Sequence, residues 1–462
     1  MSEAWVVGGA LRDSLLGRPQ PQPDVDVAVS GDPEAAARSL AAELRGPVFR
    51  LSEAFGAWRV LDRERGRVYD FSPLQGQTIE EDLGRRDFTV NAMALPLGER
   101  SLTSLGPVES EQLLDPHGGR ADIAARTLRV LGRGAYEADP LRPLRLARLA
   151  AELGFTPDPE TARLTVEAAP AVSSASPERV FGELRRLVVA HHAMAGLELA
   201  DRLGLVRAVL PELADLHHVE QSDFHHLDVY DHTLEVLARQ IELEGRLEEH
   251  FGELAPRLQA ILDQPLADDL TRGQAIRFGA LLHDIGKPAT RGMRGDGRVT
   301  FLDHDSVGEE ITRSICRRLR VSERLSRFLE ALTVNHLVLG FLVHQRPLSR
   351  RAIYRYLLRT QPVEVEVTLL SCADRLATRG RNAERATRPH LLLARELMGF
   401  ALDWRESGPP RAPLRGDDLA RELGLEPGPE LGRLLAELTE AAYAGEATTR
   451  DQALALARTL SR

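Results

Sequence analysis

The spacing of apolar positions changes part-way along the chain. Before about residue 125, AWVVGG, DVDVAVS, WRVLD and RVYDFS alternate or are solidly apolar, the pattern of strands, and helical runs such as PEAAARSLAAEL lie between them. From about residue 126 the period becomes helical. ADPLRPLRLARLAAELGF and SPERVFGELRRLVVAHHAM carry apolar residues every three or four positions, with arginines on the opposite face. A histidine-rich helical block follows from about 217 to 385, and RESGPPRAPLRGDD, with its prolines and glycines, reads as a linker to a small helical tail. The pattern predicts an α+β chain: a mixed-sheet head over 1–125, an all-α neck over 126–215, a helical histidine-rich domain over 216–400 and a tail over 401–462.

Composition changes this picture only at a few points. With 462 residues, 43% apolar and 28% charged, the chain has an ordinary globular mix. No apolar run reaches the roughly 18 residues of a membrane span, and MSEAWVVGGALRD lacks the features of a secretory leader. A cytoplasmic protein with no membrane partner is expected. Cys316 and Cys372 are the only cysteines, which argues against a disulfide scaffold or a Cys-based zinc site. A net charge of −10 does not mark the whole surface as a polyanion binder, although a local basic face suffices for nucleic acid. Lys287 is the single lysine among 59 basic residues, so nearly every cationic contact falls to planar guanidinium groups suited to phosphate.

The first chemistry-bearing segment is VVGGALRDSLLGR followed by DVDVAV. A strand ends at Gly8-Gly9, where a bare backbone lets N–H groups approach an anion, and a helix begins with Arg12 in its first turns. Asp24 and Asp26 follow on a second strand, where period two places both carboxylates on one face. Two adjacent acids repel unless a cation separates them, and the spacing suits two Mg2+ ions about 4 Å apart, clamping an attacking hydroxyl and a leaving phosphate. Asp70, in RVYDFS, is a third carboxylate candidate.

In order along the chain, GGALRDSLLG, DVDVAV, EEDLGRRDFTVNAMA, LLDPHGGRADI and ADPLRPLRLARLA resemble the successive motifs of the class II (bacterial-type) tRNA nucleotidyltransferase and poly(A) polymerase family, over roughly residues 4–190. The resemblance implies a polymerase-β-like palm in which Asp24 and Asp26, with Asp70, hold the metal ions. It implies a nucleotide-binding set of Gly8, Gly9, Arg12, Asp13, Arg85, Arg86, Asp87, Asn91, Asp139, Arg142 and Arg145. The partners it implies are the tRNA 3′ end, CTP and, for a full CCA end, ATP. Asp139 and Arg142 are three apart in a helical pattern and so are expected to share a face. An acceptor beside a donor matches the amino group and ring nitrogen of cytosine or adenine and mismatches uracil and guanine, which selects C and A without a template. Ala138 stands where the family often has a further acid. Relatives that build the whole CCA end carry a longer flexible loop between the third carboxylate and the RRD motif. Here only FSPLQGQTI joins Asp70 to Glu80-Glu81-Asp82, a shortening shared by relatives that add two cytidines alone.

The second segment contains HHLDVYDHTLEVL, LLHDIGKP, FLDHDSVG, TVNHLVLG and SCADRLATR. Imidazoles and carboxylates in this order suit divalent transition metals. The set resembles the HD phosphohydrolase superfamily, which implies His232, His283, Asp284 and Asp374 as ligands of an ion such as Mn2+, Ni2+ or Fe2+, with His304 and His336 as further ligands. His283 and Asp284 are adjacent, so a helix end or distortion is needed for both to reach one ion. Lys287, one turn on, is placed to steady a phosphate. His217, His218, His225 and His226 fall outside the ligand pattern and are read as surface or core histidines. GPELG in the tail reads as a helix-capping turn.

The leading reading is template-independent addition of cytidines to tRNA, with a fused phosphohydrolase acting on 3′ or 2′,3′-cyclic phosphates. The others are a poly(A) polymerase or A-adding enzyme, an RNA-binding protein without catalysis, an HD fold kept as an RNA-binding scaffold, and an HD domain acting on free nucleotides. No oligomeric state follows from the sequence.

Overall fold

The computed structural model describes residues 3–18, 24–53, 56–98, 102–104, 112–221, 227–378 and 383–461. They form two compact units, Met1–Val209 and Leu210–Arg462.

The first unit opens with β1 (Ala4–Val7), α1 (Gly9–Leu15), β2 (Asp24–Val29), α2 (Pro33–Leu44), β3 (Val48–Ser52), β4 (Ala57–Asp62), β5 (Arg67–Pro73), α3 (Ile79–Gly84) and β6 (Ala94–Pro96). The strands make one mixed sheet in the order β3-β4-β5-β2-β1-β6. Its central pair, β2 and β5, is parallel and the other pairs are antiparallel. Alternation explains β2: Val25 and Val27 are buried, while Asp24 and Asp26 face an open side. Helix α2 starts where the Asp32 side chain caps Glu34 N and Pro33 supplies a preset φ, and it covers β4 and β5. The apolar core beneath the sheet gathers Trp5, Val7, Ala28, Ile79, Leu83, Ala92 and Ala94.

The neck supplies α4 (Gly119–Ala124), α5 (Arg133–Ala138), α6 (Arg142–Leu153), α7 (Pro159–Ala168), α8 (Pro177–Val189) and α9 (Ala193–Arg202). Helix α6 is buried on most of its circumference and packs against α8 and α9. The expected continuous helix through ADPLRPLRLARLAAEL is in fact broken. Asp139 ends α5 in an extended conformation (φ −148°) and α6 begins only at Arg142. Pro140 is the cause, since its ring disfavours helical geometry in the residue before it.

The second unit is helical. Helices Val229–Glu244, Arg272–Leu282, His304–Arg318, Glu323–Asn335 and Glu364–Ala377 surround one centre, and a small hairpin, Arg291–Met293 with Val299–Phe301, joins the chain between Arg272–Leu282 and His304–Arg318. Glu323–Gln345 has the length and mean hydropathy (1.2) of a membrane span, but 50% of that window is buried in this fold. Helix Ala383–Ser407 runs past residue 400, and the chain leaves it only at Gly408. In the tail, Gly428-Pro429 opens helix Pro429–Ala444, so the capping turn GPELG lies at a helix start. Leu419, Leu434, Leu438 and Ala453 give the tail its own core.

Candidate functional site

The register of the head sheet assembles the first site. Val7 stands opposite Asp26 across β1 and β2, and Asp26 stands opposite Asp70 across β2 and β5. Three carboxylates, Asp24, Asp26 and Asp70, therefore sit on neighbouring strands at the end of β1. Gly8 adopts φ +80°, and a Cβ there would lie 3.0 Å from Asp26 Oδ2, so only glycine allows the turn to hug the carboxylate. The floor of the cleft is open to solvent yet crowded by protein. That partial dehydration pushes the Asp26 carboxyl up to about 6, Arg86 opposes it, and Asp70 and Asp24 add to it. Arg59, opposite Asp70 on β4, grips it with two hydrogen bonds of 2.7 and 2.6 Å. No sequence signal singles Arg59 out, because the pairing of β4 with β5 is what places it.

A cavity of about 830 Å³ lies over these acids, lined by Gly8, Gly9, Arg12, Asp13, Asp24, Asp26 and Asp70 and, from the other side, by Arg86, Asp87, Asn91 and Arg145. Most of the expected nucleotide-binding set is thus brought together. The structure also shows how it is held. Arg12 donates to Asp13 (2.8 Å) and Asn91 (2.7 Å), and Asn91 donates to Asp87 (3.0 Å). Arg145 Nη1 donates to Asp87 (2.8 Å) and its Nε to Glu183 (3.3 Å). Glu183 accepts from Arg148 as well, and Arg148 and Arg186 share Glu152. Arg148 on α6 and Glu183 and Arg186 on α8 line the same cavity, and the sequence pattern marks them only as positions on amphipathic helices.

Asp87 is the hinge of this ladder. Burial opposes its charge, but Arg145, Asn91 and the Phe88 N–H outweigh burial and hold the carboxyl down at about 2. Asp87→Asn is expected to destabilise the unit by roughly 3 kcal/mol at neutral pH, measured by urea unfolding. The sign follows from linkage. A depressed carboxyl contributes stability above its unfolded value near 4, and that contribution fades as pH falls towards about 2. The wild-type and variant stabilities should converge there.

Three expected residues, Arg85, Asp139 and Arg142, do not line the cavity. Asp139 and Arg142 do not share a helix face, because Pro140 separates them. Arg142 spends Nη1 on the carbonyls of Arg86 (3.1 Å) and Ala135 (2.9 Å) and Nη2 on that of Arg85 (2.9 Å). Asp139 Oδ1 accepts from Leu141 N (3.1 Å) and Oδ2 from Arg179 Nη2 (2.6 Å). The Arg85 side chain is exposed.

The second site forms where helix ends converge. His283 closes helix Arg272–Leu282 and Asp284 follows it, His304 begins its helix, and His336 closes Glu323–Asn335, while His232 and Asp374 project from within helices. Adjacent His283 and Asp284 both turn inward because the helix stops there. Gly286 permits that stop: a Cβ would lie 2.2 Å from the His304 carbonyl oxygen. Two groups result, His232–His283–Asp374 and Asp284–His304–His336. Asp284, a member of the second group, also reaches the first, with Oδ2 3.1 Å from His283 Nε2 and 3.7 Å from His232 Nε2, and Oδ1 3.2 Å from His304 Nε2 and 3.7 Å from His336 Nε2.

The donor set fits a metal. Nδ1 of His283, His304 and His336 lies 2.9, 2.7 and 2.6 Å from the carbonyls of Ala280, Phe301 and Thr333, which leaves each Nε2 as the inward lone pair. The buried His283 Nε2 has no aligned hydrogen bond. Burial opposes the Asp284 charge, but His283 and Lys287 overcome it and hold the carboxyl well below its usual range. Burial pushes His336 down to about 4, a neutral imidazole near pH 7. Lys287 Nζ sits 2.6 Å from Asp284 Oδ2 and donates to Gln221 (2.7 Å). His217 stacks on Tyr230 and His218 is exposed, apart from the ligands, whereas His225 and His226 lie outside the described residues.

Residues 4–129 match the Poly A polymerase head domain family, 154–216 match the family described as the probable RNA and SrmB-binding site of polymerase A, and 229–379 match the HD domain family. The A-adding tRNA nucleotidyltransferase of Deinococcus radiodurans is 36% identical over 98% of this chain and 94% of its own length. The chain belongs to the CCA-adding tRNA nucleotidyltransferase family. The CC-adding enzyme of Thermus thermophilus is 35% identical over 98% of the chain and 92% of its own length. The Multifunctional CCA protein of Xanthomonas campestris is 33% identical over 95% and 98%. In fold, a CCA-adding enzyme apo structure covers the whole chain and 90% of its own length with a TM-score of 0.64 at 20% identity. This tRNA nucleotidyltransferase thus carries a nucleotidyltransferase head and an HD domain, both of which imply dependence on divalent metal ions.

Proposed function

We propose that this nucleotidyltransferase adds the two cytidines of the tRNA 3′ end from CTP and leaves the terminal adenosine to another enzyme. The observation that carries the reading is the tight connection from β5 to α3. Leu74 N donates to Val29 O (3.2 Å), Gln75 N to Asp82 Oδ1 (2.9 Å) and Gln77 N to Glu81 Oε2 (2.8 Å), which leaves no long loop after Asp70. Asp24, Asp26 and Asp70 would hold two Mg2+ ions, which when bound neutralise charge on the triphosphate and make the acceptor hydroxyl a better nucleophile. Gly8 and Gly9 leave room for the triphosphate, and Arg86 faces it from beside Asp26. The tRNA 3′-oxygen attacks the α-phosphorus of CTP, its proton leaves, and the bond to the β-phosphate breaks to release pyrophosphate.

Purified enzyme with tRNA lacking CCA should extend it by two residues with CTP and by no more when ATP is added, as read by product length on a denaturing gel. Extension by a third residue with ATP overturns the CC-adding assignment. Failure with CTP but addition of A to tRNA ending in CC favours the activity named for the Deinococcus relative.

The HD site is proposed as a phosphohydrolase of RNA 3′ or 2′,3′-cyclic phosphates. The two ligand groups around Asp284 would hold divalent transition metals such as Mn2+, Ni2+ or Fe2+, which when bound supply an activated water. Lys287 would keep Asp284 ionised and present a cation to the phosphate.

A further inference from the structure

The sheet register runs on past the carboxylates. Asp26 pairs with Asp70 across β2 and β5, Asp70 with Arg59 across β5 and β4, and Arg59 with Phe49 across β4 and β3. Side chains at directly paired positions stand on one face of a sheet, so Phe49 ends the row that Asp26 begins. We propose that Phe49 is a stacking platform for the acceptor end of tRNA, taking one of the two bases behind the reacting nucleotide. The inference rests on the head as the place of nucleotide transfer and not on which nucleotide is added.

Phe49 lies on β3, the edge strand of the sheet, and is 44% exposed. Helix α2 takes the other face: Arg38 lies over the Trp58 ring of β4, 5.4 Å from its centroid, and Arg50 of β3 lies 5.3 Å from the same centroid. Phe49, next to Arg50 in the strand, points away from that packing. A lone exposed apolar side chain is ordinary on a protein surface, so exposure by itself marks nothing. Its place in the row of site residues marks this one.

The chemistry decides which end of the row the RNA uses. In phosphoryl transfer the attacking and leaving oxygens stand roughly in line across phosphorus. Gly8 follows β1, and a Cβ there would lie 3.0 Å from Asp26 Oδ2 and 3.4 Å from Arg86 Nη1, so a triphosphate held by this turn and Arg86 releases pyrophosphate on the β1 side of Asp26. The 3′-oxygen then enters from the β5 side, and the nucleotides behind it cross Asp70, Arg59 and β3. Arg59 uses two of its five N–H groups on Asp70 and its side chain is 31% exposed, so a backbone phosphate crossing it meets a cation. Two strand spacings, about 10 Å, separate Asp70 from Phe49. That is beyond the reacting ribose and within reach of the bases behind it. An aromatic ring stacks on any base face, which suits an acceptor end whose sequence changes as it grows.

The test measures single-nucleotide extension by the full-length enzyme, with CTP on tRNA lacking CCA and with ATP on tRNA ending in CC, and follows whichever acceptor is extended. Phe49→Ala should raise KM for tRNA about tenfold, the size of one base–aromatic stack, and leave KM for the nucleoside triphosphate unchanged. Phe49→Trp should restore it, whereas Phe49→Leu, apolar without a flat face, should not. An acceptor with an abasic site at the stacked position should show the same rise with wild-type enzyme and no further rise with Phe49→Ala, a coupling that a merely structural role does not produce. An unchanged KM for tRNA in Phe49→Ala, full rescue by Phe49→Leu, or effects that simply add at every abasic position overturns the platform. If the wild-type enzyme extends neither acceptor, or Asp26→Asn extends them as well as wild type, the head site itself falls and the platform with it.

Discussion

Asp26→Asn is expected to lower nucleotide addition by on the order of a thousandfold or more, the scale of several kcal/mol of lost charge stabilisation, while tRNA still binds. Asparagine keeps the volume against Gly8 and removes only the charge flanked by Asp24 and Asp70. A second signature separates this from damage to the fold. The folded carboxyl is raised to about 6 from 3.8, so ionising it above that range costs the metal-free protein stability. The penalty grows as pH rises from about 4 through 6 and is absent when the group is protonated in both states. Asp26→Asn should therefore raise the melting temperature of metal-free protein at pH 7 to 8 and leave it unchanged below pH 4. A variant that keeps substantial incorporation removes Asp26 from the reaction. One that melts lower at every pH points to disrupted packing instead.

On the proposed phosphohydrolase role, Asp284→Asn should empty both groups of the HD site and reduce hydrolysis of a 2′,3′-cyclic phosphate RNA by on the order of a thousandfold, with nucleotide addition unchanged. Among the described residues, Asp284 is the one carboxylate within 4 Å of four histidine Nε2 atoms, so its charge serves both groups. The substitution also leaves the buried Lys287 without its 2.6 Å partner, which adds a stability loss that metal cannot restore. Elemental analysis of metal per chain, before and after the change, is the primary reading. Metal content equal to wild type removes Asp284 as the shared ligand. A wild-type protein that retains metal yet hydrolyses no phosphoester, in parallel with an inert variant, leaves the HD fold as an RNA-binding scaffold.

Much of this was legible in the order of residues. Alternation in DVDV placed Asp24 and Asp26 on one face, and in β2 both are exposed while Val25 and Val27 are buried. The helical run PEAAARSLAAEL became α2 over the same residues. The six HD residues could be picked out by type and order, and the structure gathers them in two groups about Asp284. The break at Asp139 was also written in the chain, in Pro140, but the apolar period around it masked the signal.

Local periodicity, caps and side-chain chemistry are properties of neighbouring residues, and these the chain alone determined: which segments are strands or helices, and which acids and histidines are candidates. What required the tertiary structure was every relation across distance. Sheet register set Asp70 beside Asp26 and supplied Arg59, helix packing in the neck turned Asp87 into a buried hub and aimed Arg179 at Asp139, and converging helix ends put Asp284 within reach of both ligand groups. Those relations arise because burying apolar faces fixes the mutual rotation and offset of segments dozens of residues apart, information that no window of neighbouring residues contains.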